Sequence, residues 1–229
     1  MAEHDFAAFE QKVGCIFQNK ALLRQAFTHR SYLNEHKGAG EHNERLEFLG
    51  DAVLELVVSE FLLEKYQGKP EGELTAYRAA LVNTTSISQA AQDLGMNDFL
   101  LLSKGEAKDT GRARQYILAN TYEAFIGALY LDQGYDAAAH FIADTLLSKA
   151  EMIVKGGLWQ DAKSEFQELA QEKFSTTPHY ELVDERGPDH DKQFTSAIMI
   201  GKREIARGEG KSKQEAEQAA AQKALALRL

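Results

Sequence analysis

A chain of 229 residues with 44% hydrophobic content has enough apolar mass for one large or two modest domains, and its composition is that of a globular protein. No apolar run approaches the roughly 18 residues a membrane span needs, and Met1-Ala2-Glu3-His4-Asp5 lacks the basic-then-apolar layout of a secretory signal, so a cytoplasmic protein is predicted. The net charge is −9, and Cys15 is the single cysteine. An internal disulfide and a cysteine-built zinc site are therefore excluded, and any metal must be held by oxygen donors or histidine.

The charge is unevenly spread. Met1 to Val154 carries 14 basic and 22 acidic residues, a balance of −8, whereas Lys155 to Leu229 carries 12 and 13, a balance of −1. An acidic first part suits a cation-binding module, and a near-neutral second part can grip phosphate only through local clusters.

From about Asp5 to Lys149 apolar residues recur at spacings of three and four, as in Leu74, Tyr77, Leu81 and in Ala124, Phe125, Ala128, Leu129, which predicts an all-helical domain. Lys37-Gly38-Ala39-Gly40, Gln67-Gly68-Lys69-Pro70 and Gln133-Gly134 punctuate it. Within it, Asn43 to Glu55 places Glu44, Glu47, Asp51 and Glu55 inside a wedge roughly 80° wide on a helix, at about 100° per residue. Leu46, Leu49, Val53, Leu56 and Val57 fall opposite. Such a line of acids repels itself unless a cation or water screens it. Most charged helix faces are simply solvated, but Gly50, between the acids, costs a helix interior roughly 1 kcal/mol relative to alanine and signals close approach of another backbone. The stripe is thus predicted to be covered, as a candidate metal site.

Val154-Lys155-Gly156-Gly157-Leu158 reads as a flexible joint. From Asp161 a helix of about fourteen residues precedes Pro178, and alternating runs at Tyr180–Val183, Phe194–Ile200 and Arg203–Arg207 predict three strands. Ser212 and Glu215 form a capping-box pattern ahead of Ala216, Ala219, Ala220, Ala224 and Leu227, predicting a final helix. The fold class expected is an all-α domain (residues 5–153), a linker (154–160) and a small α+β domain of helix, three strands and helix (161–229).

The segment Arg45 to Leu54 resembles the signature helix of the bacterial ribonuclease III nuclease domain. Thr28-His29-Arg30-Ser31-Tyr32, Glu71-Gly72-Glu73-Leu74-Thr75 with Arg78, Lys104-Gly105-Glu106, and Ile117 through Asp132 resemble further blocks of that family in the same order. The tail is similar to a double-stranded RNA-binding domain in its first helix with Gln167 and Glu168, its Gly187-Pro188-Asp189-His190 loop, and Gly208 to Lys213 ahead of Ala216. The resemblance implies a homodimeric endoribonuclease that uses a divalent metal to cut both strands of double-stranded RNA. It implies 5′-phosphate and 3′-hydroxyl ends with short 3′ overhangs, and processing of ribosomal RNA precursors and other structured transcripts.

Carried over residue by residue, the resemblance assigns catalysis and metal binding to Glu47, Asp51 and Glu123, with Asn120 at a fourth metal position where the family usually has aspartate. Oxygen donors of this kind suit Mg²⁺, with Mn²⁺ as the alternative ion. An asparagine keeps an acceptor oxygen but brings no negative charge. This departure leaves open a second reading, a non-cleaving or weakly cleaving double-stranded RNA-binding protein. Glu44 matches a position near the dimer seam, although a first-turn acid at a helix N-terminus explains it equally. Glu71 matches an acidic position near the RNA or is a charged turn. Tyr116, Tyr122, Phe125 and Tyr130 are assigned to core or dimer packing, since duplex RNA offers no unstacked bases.

In the tail, Gln167 and His190 are expected at the minor groove. Lys211, Ser212, Lys213 and Gln214, at the start of the last helix, are expected at phosphates. Gln214 stands where the family commonly has another lysine.

Overall fold

The computed structural model describes residues 6–155, 162–188 and 192–227. The chain divides into two compact units, Met1–Trp159 and Gln160–Leu229. Gly156 and Gly157 of the expected joint, and His190 of the expected RNA contacts, lie outside the described residues.

The first unit is helical: α1 (Phe6–Val13), α2 (Lys20–Ala26), α3 (Arg30–Glu35), α4 (Glu44–Lys65), α5 (Glu71–Leu81), α6 (Thr84–Asp93), α7 (Arg112–Gln133), α8 (Tyr135–Thr145) and α9 (Ala150–Lys155), with short 3₁₀ turns between some of them. Helix α7 is the axle. Ile117, Leu118, Ala119, Tyr122, Ala124, Phe125, Ile126, Ala128 and Leu129 are all buried, so it is apolar nearly all round and is wrapped by α2, α4, α6 and α8. Phe9, Phe17 and Phe27 pack around Phe125 with ring centroids 5.0–6.3 Å apart, mostly edge to face. Gly134, at φ 85°, ends α7 and turns the chain directly into α8.

The largest helix–helix interface in this unit is between the two 22-residue helices α4 and α7. A Cβ on Gly50 would collide with the carbonyl oxygen of Glu123 and stand 2.8 Å from the Gly127 nitrogen; one on Gly127 would collide with the Leu46 carbonyl and stand 3.0 Å from the Gly50 nitrogen. The backbones touch where only glycine fits, as the interior Gly50 predicted. This contact rotates α4 so that Leu46, Val53, Leu54, Val57, Val58 and Leu62 are buried. Leu56, expected on the buried face, is instead 51% exposed, and Phe48 (83%) and Leu63 (66%) are exposed with it. Glu44, Glu47, Asp51 and Glu55 consequently run between a buried apolar face and an exposed apolar one. Glu44, Asp51 and Glu55 are exposed and only Glu47 is half-buried, so the stripe is not covered as expected, because the close approach at Gly50 lies to one side of it.

The second unit comprises α10 (Ala162–Phe174), β1 (His179–Arg186), β2 (Gln193–Ile200), β3 (Arg203–Gly210) and α11 (Lys213–Ala226), the strands forming one antiparallel sheet in the order β1-β2-β3. Tyr180, Ile198 and Ala206 align across the sheet and pack with Phe166, Ala170, Ala220, Ala221 and Ala224 of the two helices. The strands outrun their apolar cores because Glu185 pairs with Phe194 and Gly208 with Ser196. At Gly208 a side chain would strike the backbone of Ala216 and Ala220 on α11, so this strand end is held by the helix lying on it. Among the described residues, no helix is long and apolar enough to cross a membrane.

Candidate active site and nucleic-acid interface

Helix α4 starts where it does because Asn43, 3% exposed, pins it: its backbone N–H donates to the Thr28 carbonyl (2.9 Å) and its side-chain amide to the Ala26 carbonyl (3.2 Å). From that fixed start the glycine contact sets which α4 residues meet which α7 residues. Glu47 and Asp51 flank Gly50 on α4, while Asn120, Glu123 and Gly127 follow one another at three and four residues on one face of α7. The four residues assigned to the metal by sequence are thereby brought to one crossing.

The electrostatics of the crossing are those of crowded acids. Burial first, then the charges of Asp51 and Glu47, push the Glu123 carboxyl up to about 8. Glu47 is raised by burial and then by Glu44, with a smaller push from Asp51; a hydrogen-bonding contact from the Asn120 side chain works the other way. Among the described residues, no lysine or arginine contributes to the shift of either. The donor set of three carboxylates and an amide oxygen, short of positive charge, fits a hard divalent cation. As placed, no three His, Cys, Asp or Glu among the described residues stand close enough to share one ion. Bringing three of these side chains onto one ion would require their rotation about the fixed backbones.

Other assigned residues fall elsewhere. Glu44 is held outside the cluster by Arg30 (3.6 Å) and His42 (3.8 Å), although its charge still reaches Glu47. Glu71 sits in the first turn of α5 and accepts from the Thr75 hydroxyl at 2.9 Å, so the segment is a helix start rather than a turn. His29 is the N-cap of α3, its Nδ1 accepting from the Ser31 backbone at 3.3 Å. Tyr122 and Phe125 are fully buried, whereas Tyr116 and Tyr130 are 47% and 36% exposed.

In the second unit the Ser212 hydroxyl caps α11 by accepting from the Glu215 N–H at 3.2 Å. Glu215 reaches back to the Lys211 N–H (2.8 Å), one residue beyond the usual capping-box partner. Lys211, Lys213 and Gln214 stand exposed at that helix start, and Gln167 is exposed on α10. Neither lysine enters an ion pair among the described residues, whereas Arg207 is occupied by Glu204 at 2.7 Å. Sequence reasoning did not find the exposed row of Phe48, Leu56 and Leu63. Its signal was Phe48 itself, one position out of phase with Leu46, Leu49 and Val53.

Comparison with known proteins joins both units to one family. The family model described as ribonuclease-III-like matches residues 19–150, and the double-stranded RNA binding motif matches 162–227. Ribonuclease 3 of Anoxybacillus flavithermus is 48% identical over 225 residues, covering 96% of this chain and 93% of its own length. Ribonuclease 3 of Geobacillus thermodenitrificans is 47% identical over 221 residues, covering 96% and 89%. A crystal structure of the nuclease domain of ribonuclease III from Campylobacter jejuni superposes with a TM-score of 0.58 at 39% identity, covering 64% of this chain and 97% of that one. This family is one of divalent-metal-dependent nucleases. An acid-lined helix crossing in one unit and a basic helix start in the other, on a chain this similar to ribonuclease 3 over nearly its whole length, place it in the ribonuclease III family as a double-stranded RNA-specific endoribonuclease.

Proposed function

We propose that the α4–α7 crossing is the cutting centre, with Glu47, Asp51 and Glu123 holding Mg²⁺ and Asn120 beside them. The observation that carries this reading is the Gly50–Gly127 contact, which sets Glu47 and Asp51 of α4 against the face of α7 that bears Asn120 and Glu123. A divalent cation there supplies Lewis-acid activation of water and offsets charge on the leaving oxygen; Mn²⁺ has the same oxygen-ligand preference. Carboxylates bind such an ion deprotonated, so Glu123, whose carboxyl burial holds up at about 8, would have to release its proton to serve as a ligand. Cleavage of both strands then leaves 5′-phosphate and 3′-hydroxyl ends with short 3′ overhangs, on ribosomal RNA precursors and other structured transcripts in the cytoplasm.

The active form is a homodimer joined through the nuclease domain. Phe48, Leu56 and Leu63 form an apolar row beside the acids, of a kind that marks a protein interface. One solved structure of the Campylobacter jejuni nuclease domain, 40% identical, is described as having a region involved in dimer formation. Gln167, His190, Lys211, Ser212, Lys213 and Gln214 grip the duplex, the lysines at phosphates and Gln167 and His190 at the minor groove, which selects A-form shape over sequence. Lys211→Glu with Lys213→Glu is expected to abolish duplex binding in a filter or gel-shift assay while leaving the melting temperature unchanged. Retained binding overturns this assignment of the grip.

A further inference from the structure

In the second unit, the two helices that carry the grip meet on a surface made largely of alanine. Ala162 and Ala170 of α10 and Ala220, Ala221 and Ala224 of α11 are buried in one cluster, with Phe166 as the large helix side chain among them. Alanine projects nothing beyond Cβ, so the ridges of such a surface are shallow and resist sliding of one helix along the other only weakly. A polar contact supplies what the alanines lack. The Lys163 ammonium, in the first turn of α10, donates to the Glu217 carboxylate of α11 at 2.6 Å and lies 4.8 Å from the centre of the Tyr180 ring on β1. Lys163 thus ties three elements at one point, and the two charged side chains are 33% and 27% exposed, which sets the pair apart from a loose surface bridge. The tie also lies between the two RNA-facing surfaces: Gln167 is one turn after Lys163 on α10, and Lys213 is one turn before Glu217 on α11.

Resting on the reading of Gln167, Lys211 and Lys213 as contacts to the duplex, we propose that Lys163 and Glu217 are positioning residues for RNA recognition: their ion pair sets the offset between the helix that meets the minor groove and the helix start that meets phosphates. The two contacts fall on neighbouring grooves of one A-form duplex, so both are made at once only when their separation matches the groove spacing. Phosphates are common to every duplex, whereas 2′-hydroxyls in the minor groove belong to RNA alone. A shift of α10 along α11 therefore removes the RNA-specific part of binding and leaves the phosphate part.

The test measures the affinity of the intact chain, in EDTA to withhold metal, for RNA and DNA duplexes of one sequence, about 20 bp long to exceed the roughly 16 bp such a domain spans. Glu217→Ala is the informative variant, because removing an acid favours any duplex by charge alone. It is expected to bind the RNA about tenfold more weakly, with DNA affinity unchanged or raised and the melting temperature within a few degrees of wild type. Lys163→Met is expected to lose the same preference for RNA, and the exchanged pair, Lys163→Glu with Glu217→Lys, to recover most of it. Unchanged or tighter RNA binding by Glu217→Ala overturns the inference. So does an exchanged pair no better than the single variants, or a Glu217→Ala chain that fails to fold, since the pair would then hold the domain together and not set an offset. Lys211→Glu with Lys213→Glu is measured alongside. If that double variant keeps wild-type affinity for the RNA, the reading of the grip fails; if it loses binding while Glu217→Ala keeps it, the positioning role alone fails.

Discussion

Glu123 bears the strongest electrostatic load at the crossing, and its consequence for stability has a definite sign. Its carboxyl is raised from an ordinary 4.5 to about 8, so in the metal-free fold it holds a proton that the unfolded chain has released across that window. Stability contributed by this group is full below about pH 4.5, falls as pH rises through the window, and is lost above about pH 8. Urea midpoints of the metal-free protein between pH 5 and pH 9 should therefore decline with rising pH, and Glu123→Gln should flatten that decline. Equal slopes in the two proteins would show that Glu123 is not under this strain. Asp51 and Glu47 were legible as a pair because their four-residue spacing puts them on one helix face whatever surrounds it. The contact of Asn120 with Glu47 was less legible, since it depends on a helix crossing that joins residues 73 positions apart in the chain.

Helices α4 and α7 are positioned by two glycines more than by any polar contact. Gly50→Ala must push the Glu123 carbonyl away and thereby displace Glu47, Asp51 and Glu123 relative to one another together with the backbone. Overpacking of this kind costs about 1–3 kcal/mol, and more where backbone must yield, so a loss of about 3 kcal/mol in urea unfolding is expected. A change below about 0.5 kcal/mol, the range of an ordinary surface substitution, would contradict the contact. Gly50 disclosed in the sequence that something approaches α4, but not what. Periodicity likewise placed α4 as a helix and assigned Leu56 to its core, an assignment the structure reverses. The phase of the buried face is set by where Gly127 lies, which a local pattern does not contain. In the tail, the strands extend past their apolar runs at Glu185 and Gly208 because pairing and helix packing override weak local preference. The cap of α11 at Ser212 was readable because capping is a matter of a few neighbouring residues.

At the scale of the molecule, an acidic unit that cuts and a near-neutral unit that grips divide the labour, and the net charge of −9 conceals both. In the proposed homodimer, the exposed row of Phe48, Leu56 and Leu63 is the surface that meets a second copy of the chain. Phe48→Glu should convert a dimer to a monomer in sedimentation velocity; an unchanged sedimentation coefficient in a wild-type dimer would place the interface elsewhere. The central claim is that the crossing performs the chemistry while the tail binds. It is tested most directly by cleavage of a long RNA duplex across a Mg²⁺ titration by wild type, Glu47→Gln and Glu123→Gln, with duplex affinity measured alongside. The account predicts Mg²⁺-dependent cutting by wild type, a loss of at least roughly a hundredfold in both variants from the missing charge on the ion, and unchanged affinity. Cutting that persists in EDTA, or that survives both substitutions, would contradict it.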